Sequence, residues 1–182
     1  MKLTNTGLQN RSEWEEKGYV LPSFDRTSMI QKTKEHPTWV HFGAGNIFRI
    51  FPAALQQRLL SEGLGETGII VGEGFDYQII DEVYEKHDNL TLMVTLKSDG
   101  TIGKEVIASV AAAYKCDQQF SSEWEFFKKT FRSPFPCRWQ ALPSQRKGMH
   151  SSAVMDRSTL PSKRTCRLDL HRISCSFRGS RH

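Results

Sequence analysis

Trp39-Val40-His41-Phe42-Gly43-Ala44-Gly45-Asn46-Ile47-Phe48, continued to Gly68-Ile69-Ile70-Val71-Gly72, is the stretch whose reading decides the fold. A short apolar run that ends in glycines reads as a buried strand entering a tight turn. Pro52 suits the first turn of a helix. Phe51, Leu55 and Leu59 follow at i, i+4 and i+8, the spacing of a helix face that packs on a sheet. Gly63 and Gly65 end that helix, and Gly68–Gly72 is a second buried strand. Strand, glycine turn, helix and strand in this order make a βαβ unit with parallel strands.

Outward from this unit, Asp76 can cap a further helix that turns Ile79, Ile80, Val83 and Tyr84 inward. Leu90, Leu92, Val94 and Leu96 then alternate with Thr91, Met93, Thr95 and Lys97, the period of a strand with one buried face. Ser98-Asp99-Gly100-Thr101 supplies a turn, and 106–110 returns as the partner strand. Ser122 and Glu125 form a capping-box pattern, with Trp124, Phe127 and Phe131 as the apolar side of the next helix. A doubly wound sheet needs one more strand after this helix, and the text supplies none. Before the unit, Trp14, Tyr19, Leu21 and Phe24 are placed to pack as a lead-in segment.

The glycine turn is a G-x-G-x-x-F string, with Phe48 where a third glycine is common. Gly43 permits the tight turn, Gly45 lets a pyrophosphate approach the backbone, and the helix start offers unpaired N–H groups to phosphate charge. The string also fits an ordinary strand-to-helix turn. Glu73, ending the second strand, stands where a carboxylate accepts hydrogen bonds from the ribose of NAD and repels the extra phosphate of NADP. Asp76 is the alternative for that role. Arg49 is read either as a phosphate contact or as a solvated helix-start residue.

Composition excludes several classes. Hydrophobic residues make 38% and charged residues 25% of the 182, as in a water-soluble domain. No run of 18 apolar residues is available for a membrane helix. The first twenty residues lack an apolar core and hold three Glu, so they do not read as a signal peptide. Four Cys without tight pairs read as a chain of the reducing cytoplasm. The net charge of +5 conceals a break near residue 132. Residues 1–130 carry 14 Lys+Arg against 18 Asp+Glu, and residues 131–182 carry 11 against 2, with no Glu at all.

The blocks Trp39–Arg49, Phe51–Gln57, Gly68–Val71, Phe75-Asp76, Ile79–Asp81, His87–Leu90, Val94–Gly100 and Val106–Val110 run in order without gaps. Together they resemble the mannitol dehydrogenase family of long-chain polyol and sugar-acid dehydrogenases, and within it the fructuronate-reducing branch. The resemblance covers residues 1–132. It implies a Rossmann-like dinucleotide-binding domain, and metal-independent hydride transfer between NAD(H) and a hexuronate or polyol. Gly43, Gly45, Asn46, Phe48 and Arg49 would line the cofactor site, with Glu73 as read above. The family's acid/base lysine, with its Asn and His partners, belongs to a helical second domain that this text does not match, so no catalytic residue is carried over. No metal ligand is assigned.

The expected organisation is a lead-in segment at 1–36, an incomplete Rossmann-like α/β domain at 37–132, and an unstructured basic tail at 133–182. Where the family continues into a strand reading Leu-Gln-Met-x-Ser-Phe-Thr-Ile-Thr-Glu-Lys-Gly-Tyr, this chain reads Cys137–Met149 with almost no agreement. One possible coding of that stretch, read one nucleotide earlier, translates to the family strand. Codon degeneracy contributes to the match, but Trp139 and Met149 each have a single codon and constrain it. The tail is therefore expected to be out-of-frame text beginning between Arg132 and Cys137. Two other classes stay open: a non-catalytic nucleotide-binding module, and a basic arm that contacts nucleic acid through phosphates. The arm lacks aromatic interleaving, so no nucleic-acid partner is assigned. Cys166, His171 and Cys175 lack a fourth ligand at zinc-site spacing.

Overall fold

The computed structural model describes residues 1–132 and 138–141. In chain order its elements are α1 (Arg11–Glu16), β1 (Tyr19–Val20), α2 (Arg26–Glu35), β2 (Trp39–Phe42), α3 (Asn46–Ile50), α4 (Pro52–Ser61) and β3 (Ile69–Glu73). A π-helical turn at Ile80–Tyr84 leads on to β4 (Thr91–Leu96), β5 (Ile102–Ile107), β6 (Val110–Lys115), α5 (Ser121–Arg132) and β7 (Arg138–Ala141).

Four of the strands form one parallel sheet in the order β6-β3-β2-β7. The chain thus steps from β2 to β3 to β6 on one side, then returns through α5 to pair β7 with the opposite edge of β2. This is the beginning of a Rossmann-like doubly wound sheet. Its topological switch point lies at β2, where the first strand-to-helix turn leaves the sheet. Val40, Ile70 and Phe127 pack together on one side of the sheet. Ala44, Phe48, Ala53, Ala54, Ile69, Val71, Ile80 and Tyr84 pack together on the other.

The remaining strands make a separate sheet, β1-β5-β4, whose β4–β5 hairpin is inserted between β3 and β6. β4 and β5 are antiparallel, and β1 joins β5 in parallel. The lead-in segment packs here as its aromatic spacing suggests. Trp14 and Leu21 are buried with Leu90, Val106 and Ala108, with Tyr19 and Phe24 against them. Arg26 ties this layer to the main sheet by donating to the carbonyls of Ala108 and Val110.

Four readings of the sequence are corrected. First, Phe51, Leu55 and Leu59 are exposed, and α4 instead buries Ala53, Ala54, Gln57 and Leu60. Small side chains let the helix axis approach the sheet closely. Gln57 is tolerated inside because its amide spans the backbone, donating to Val106 O at 2.9 Å and accepting from Ala108 N–H at 2.6 Å. Second, the alternating residues of β4 grow more exposed toward the hairpin tip, from 37% at Leu92 to 78% at Leu96. The face of Leu92, Val94 and Leu96 has no covering layer among the described residues, while Met93 on the opposite face packs against the core. Third, 106–110 is not one strand. Chain direction changes at Ala108-Ser109, and Val110–Lys115 becomes a parallel neighbour of β3. Fourth, the sheet does gain a strand after α5. Arg138–Ala141 pairs with Trp39–Phe42, because the open edge of β2 presents unpaired backbone groups that accept an extended segment of almost any sequence. The rest of the basic segment, 133–137 and 142–182, lies outside the described residues.

Candidate functional site

The site grows from the end of β2. Gly43 has φ +104°, a conformation that favours glycine, and its N–H donates to Gly72 O at 2.8 Å. That bond extends the β2–β3 ladder by one step, so the turn begins rigidly. The chain then enters α3 with Gly45 as the residue preceding the helix. A Cβ placed on Gly43 or Gly45 would meet nothing within 4 Å. Gly45 and Asn46 are exposed, and the first-turn N–H groups have no acceptor within the helix.

Beneath the turn the packing is dense. Phe48 is fully buried and stacks on His41 with ring centroids 4.3 Å apart. Among the described residues neither imidazole nitrogen of His41 has a hydrogen-bond partner, and burial depresses its pKa from 6.5 to about 4. His41 is therefore a neutral core ring, as its place in a buried strand suggests, and no proton donor for chemistry. His87 is likewise structural, with Nδ1 3.2 Å from Leu3 O.

Ala44, between the two glycines, is held on both sides. Its N–H donates to Glu73 Oε2 at 2.8 Å, and its carbonyl accepts from the Tyr84 hydroxyl at 2.9 Å. Glu73 Oε1 accepts further from the N–H groups of Phe75 at 3.0 Å and Asp76 at 3.4 Å. Burial raises the Tyr84 pKa above its usual value, so the phenol stays a neutral donor. Asp76 is exposed and its carboxylate has no partner among the described residues; the cap expected of it is not made. Arg49 donates from Nη2 to Asn46 Oδ1, while its Nε is buried without a partner among the described residues.

The structure thus gathers Gly43, Gly45, Asn46, Phe48, Arg49 and Glu73 around one turn, with Phe48 under it rather than on its surface. Sequence reasoning missed Tyr84 as a member of this group. It was legible only as an inward-facing residue of the next helix, forty positions away, with nothing local to mark its hydroxyl. A second groove, lined by Asn5, Leu8, Arg11, Leu21, Phe24 and Arg26, includes none of these residues. Among the described residues no group of His, Cys, Asp or Glu is arranged to hold a metal ion, and no helix is long and apolar enough to cross a membrane.

No family model matches the chain. Over 134 residues, 74% of this chain and 25% of the relative, it is 48% identical to the D-mannonate oxidoreductase of Thermotoga maritima. Two solved structures share the fold. One is D-sorbitol dehydrogenase in substrate-free form, with TM-score 0.60 and 17% identity, matching 78% of this chain and 26% of that one. The other is Pseudomonas fluorescens mannitol 2-dehydrogenase in a ternary complex with NAD and D-mannitol, with TM-score 0.61 and 16% identity over the same shares, 78% and 26%. The chain spans about a quarter of the length of these relatives. The likeness to mannitol-dehydrogenase-type oxidoreductases read from the sequence blocks agrees with all three.

Proposed function

We propose that this chain is the dinucleotide-binding part of an oxidoreductase of the mannitol dehydrogenase family, of the fructuronate reductase type. The full-length enzyme would interconvert D-mannonate and NAD with D-fructuronate and NADH, releasing one proton in the oxidation. The observation that carries this reading is the glycine turn at the switch point of a doubly wound sheet, in a chain 48% identical over 134 residues to a D-mannonate oxidoreductase.

The residues present suit a dinucleotide. The space above Gly43 and Gly45 admits a pyrophosphate close to the backbone. The first-turn N–H groups supply partial positive charge. Arg49, whose Nη2 donates to Asn46 Oδ1, places a positive charge beside the turn. A bound nicotinamide would supply the hydride. Gly43, Gly45 and Asn46 would hold its diphosphate, Arg49 would neutralise charge there, Phe48 would support the turn from below, and Glu73 would complete the site. No catalytic residue is assigned in this chain. Protonation of the alkoxide requires a group supplied by the part of the enzyme that the relatives carry beyond this match.

Titrating NADH into the 182-residue chain tests this reading. Saturable, one-to-one enhancement of NADH fluorescence is expected, with no turnover of D-fructuronate by the chain alone. Absence of binding at millimolar NADH would remove the reading.

A further inference from the structure

Glu73 occupies the place of a ribose-binding carboxylate, yet its hydrogen bonds run inward. It is 7% exposed, and β3 is buried along its whole length. One oxygen accepts the Ala44 N–H and the other accepts those of Phe75 and Asp76. A carboxylate offers about four acceptor directions, and three are already filled by fixed backbone donors. A ribose diol bound in bidentate fashion needs a free direction on each oxygen. Oε1 has none left.

What these bonds do instead is define the turn. Gly43 is held by the Gly72 carbonyl, the Ala44 N–H by Glu73 and the Ala44 carbonyl by Tyr84. Both peptide groups flanking Ala44 therefore have fixed orientation. The next groups in line are Gly45 and the first residues of α3, the ones that meet a diphosphate. Resting on the dinucleotide-binding reading above, we propose that Glu73 is a positioning residue. Together with Tyr84 it pins the Ala44 peptides so that the glycine turn is preorganised for the diphosphate, and it does not read the ribose 2′ position. Discrimination between NAD and NADP then falls to another group, and the exposed Asp76, three residues on from Glu73, offers a carboxylate with no partner among the described residues.

The test separates the two roles by cofactor preference. Binding of NADH and NADPH to the full 182-residue chain is measured for the wild type, Glu73→Gln, Tyr84→Phe and Asp76→Asn. If Glu73 positions the turn, Glu73→Gln and Tyr84→Phe weaken NADH and NADPH alike, by about tenfold, and leave their ratio unchanged. Tyr84→Phe keeps the ring in the core, so it carries the test should Glu73→Gln fail to fold. A rise in NADPH affinity relative to NADH in Glu73→Gln, with Tyr84→Phe unaffected, would overturn the proposal. A second readout needs no nucleotide. The Ala44 amide should exchange slowly with solvent in the wild type and at least tenfold faster in Glu73→Gln. Failure of the wild type to bind NADH would refute the functional reading. The Ala44 exchange rates alone would then decide whether Glu73 pins the turn, an unprotected wild-type amide refuting it.

Discussion

Gly43 and Gly45 lie two residues apart and do different work, which substitution separates. At φ +104° Gly43 sits where a side chain is strained, so Gly43→Ala should cost about 1–3 kcal/mol of stability, read as a lower midpoint in urea unfolding. Gly45 has ordinary backbone angles and open space around it. Gly45→Ala should leave the midpoint nearly unchanged while weakening NADH by tenfold or more, because a methyl group keeps the diphosphate off the backbone. His41 gives a pH signature. The unfolded chain takes up a proton near pH 6.5 and the folded chain only near 4, so between these values the unfolded state holds the extra proton. Stability should therefore fall as pH drops from 6.5 toward 4, by roughly 3 kcal/mol in full. His41→Leu should flatten this acid limb with little change at neutral pH, since it removes from the core two nitrogens that have no partner among the described residues. Thermal unfolding between pH 4 and 8 checks both. The turn itself was legible in the sequence, because glycines after an apolar run have few other uses. The inward direction of Glu73 was not, since its partners are backbone N–H groups that no side-chain pattern announces.

At the scale of elements, the α4 face shows where pattern reading fails. Phe51, Leu55 and Leu59 have helical spacing, but spacing does not say which side faces the sheet. Ala53, Ala54 and the anchored Gln57 decide it, through close approach and backbone hydrogen bonds. Gln57→Leu should cost about 2 kcal/mol by stranding the Ala108 N–H, while Leu55→Ala should cost under about 1 kcal/mol. Denaturant midpoints of the two variants would reverse in order if the sequence-based face were the packed one. The hairpin carries a similar lesson. Leu92, Val94 and Leu96 alternate as a half-buried strand should, yet β4 is an edge strand with this face in water. Leu96→Lys is expected to lower concentration-dependent scattering without changing the unfolding midpoint. β2 and β3 were readable because buried parallel strands are continuously apolar. β6 was not, since Val110-Ala111-Ala112-Ala113 has weak strand propensity and is held by its neighbour β3.

For the whole molecule, topology carries more than any single residue. Three parallel strands on one side of the switch point and a fourth on the other place the glycine turn at the crevice where doubly wound sheets take ligands. β7 at Arg138–Ala141 pairs with the open edge of β2, although its residues bear no likeness to the family strand expected after α5. Backbone pairing accounts for its position without any demand on side chains, which is why the sequence offered no sign of it. If the basic segment is out-of-frame text, sequencing the coding DNA across the Ser122–Met149 codons should show a neighbouring frame that stays open through Thr-Glu-Lys-Gly-Tyr. A single continuous frame with no such alternative would refute that origin. The central claim, a dinucleotide held at this turn, is tested most directly by adding NADH to the isotope-labelled chain and following backbone amide resonances. The expected result is saturable shifts centred on Gly43, Gly45, Asn46 and Arg49, and on Ala44 through its bond to Glu73. Saturable shifts centred elsewhere, or none at millimolar NADH, would contradict it.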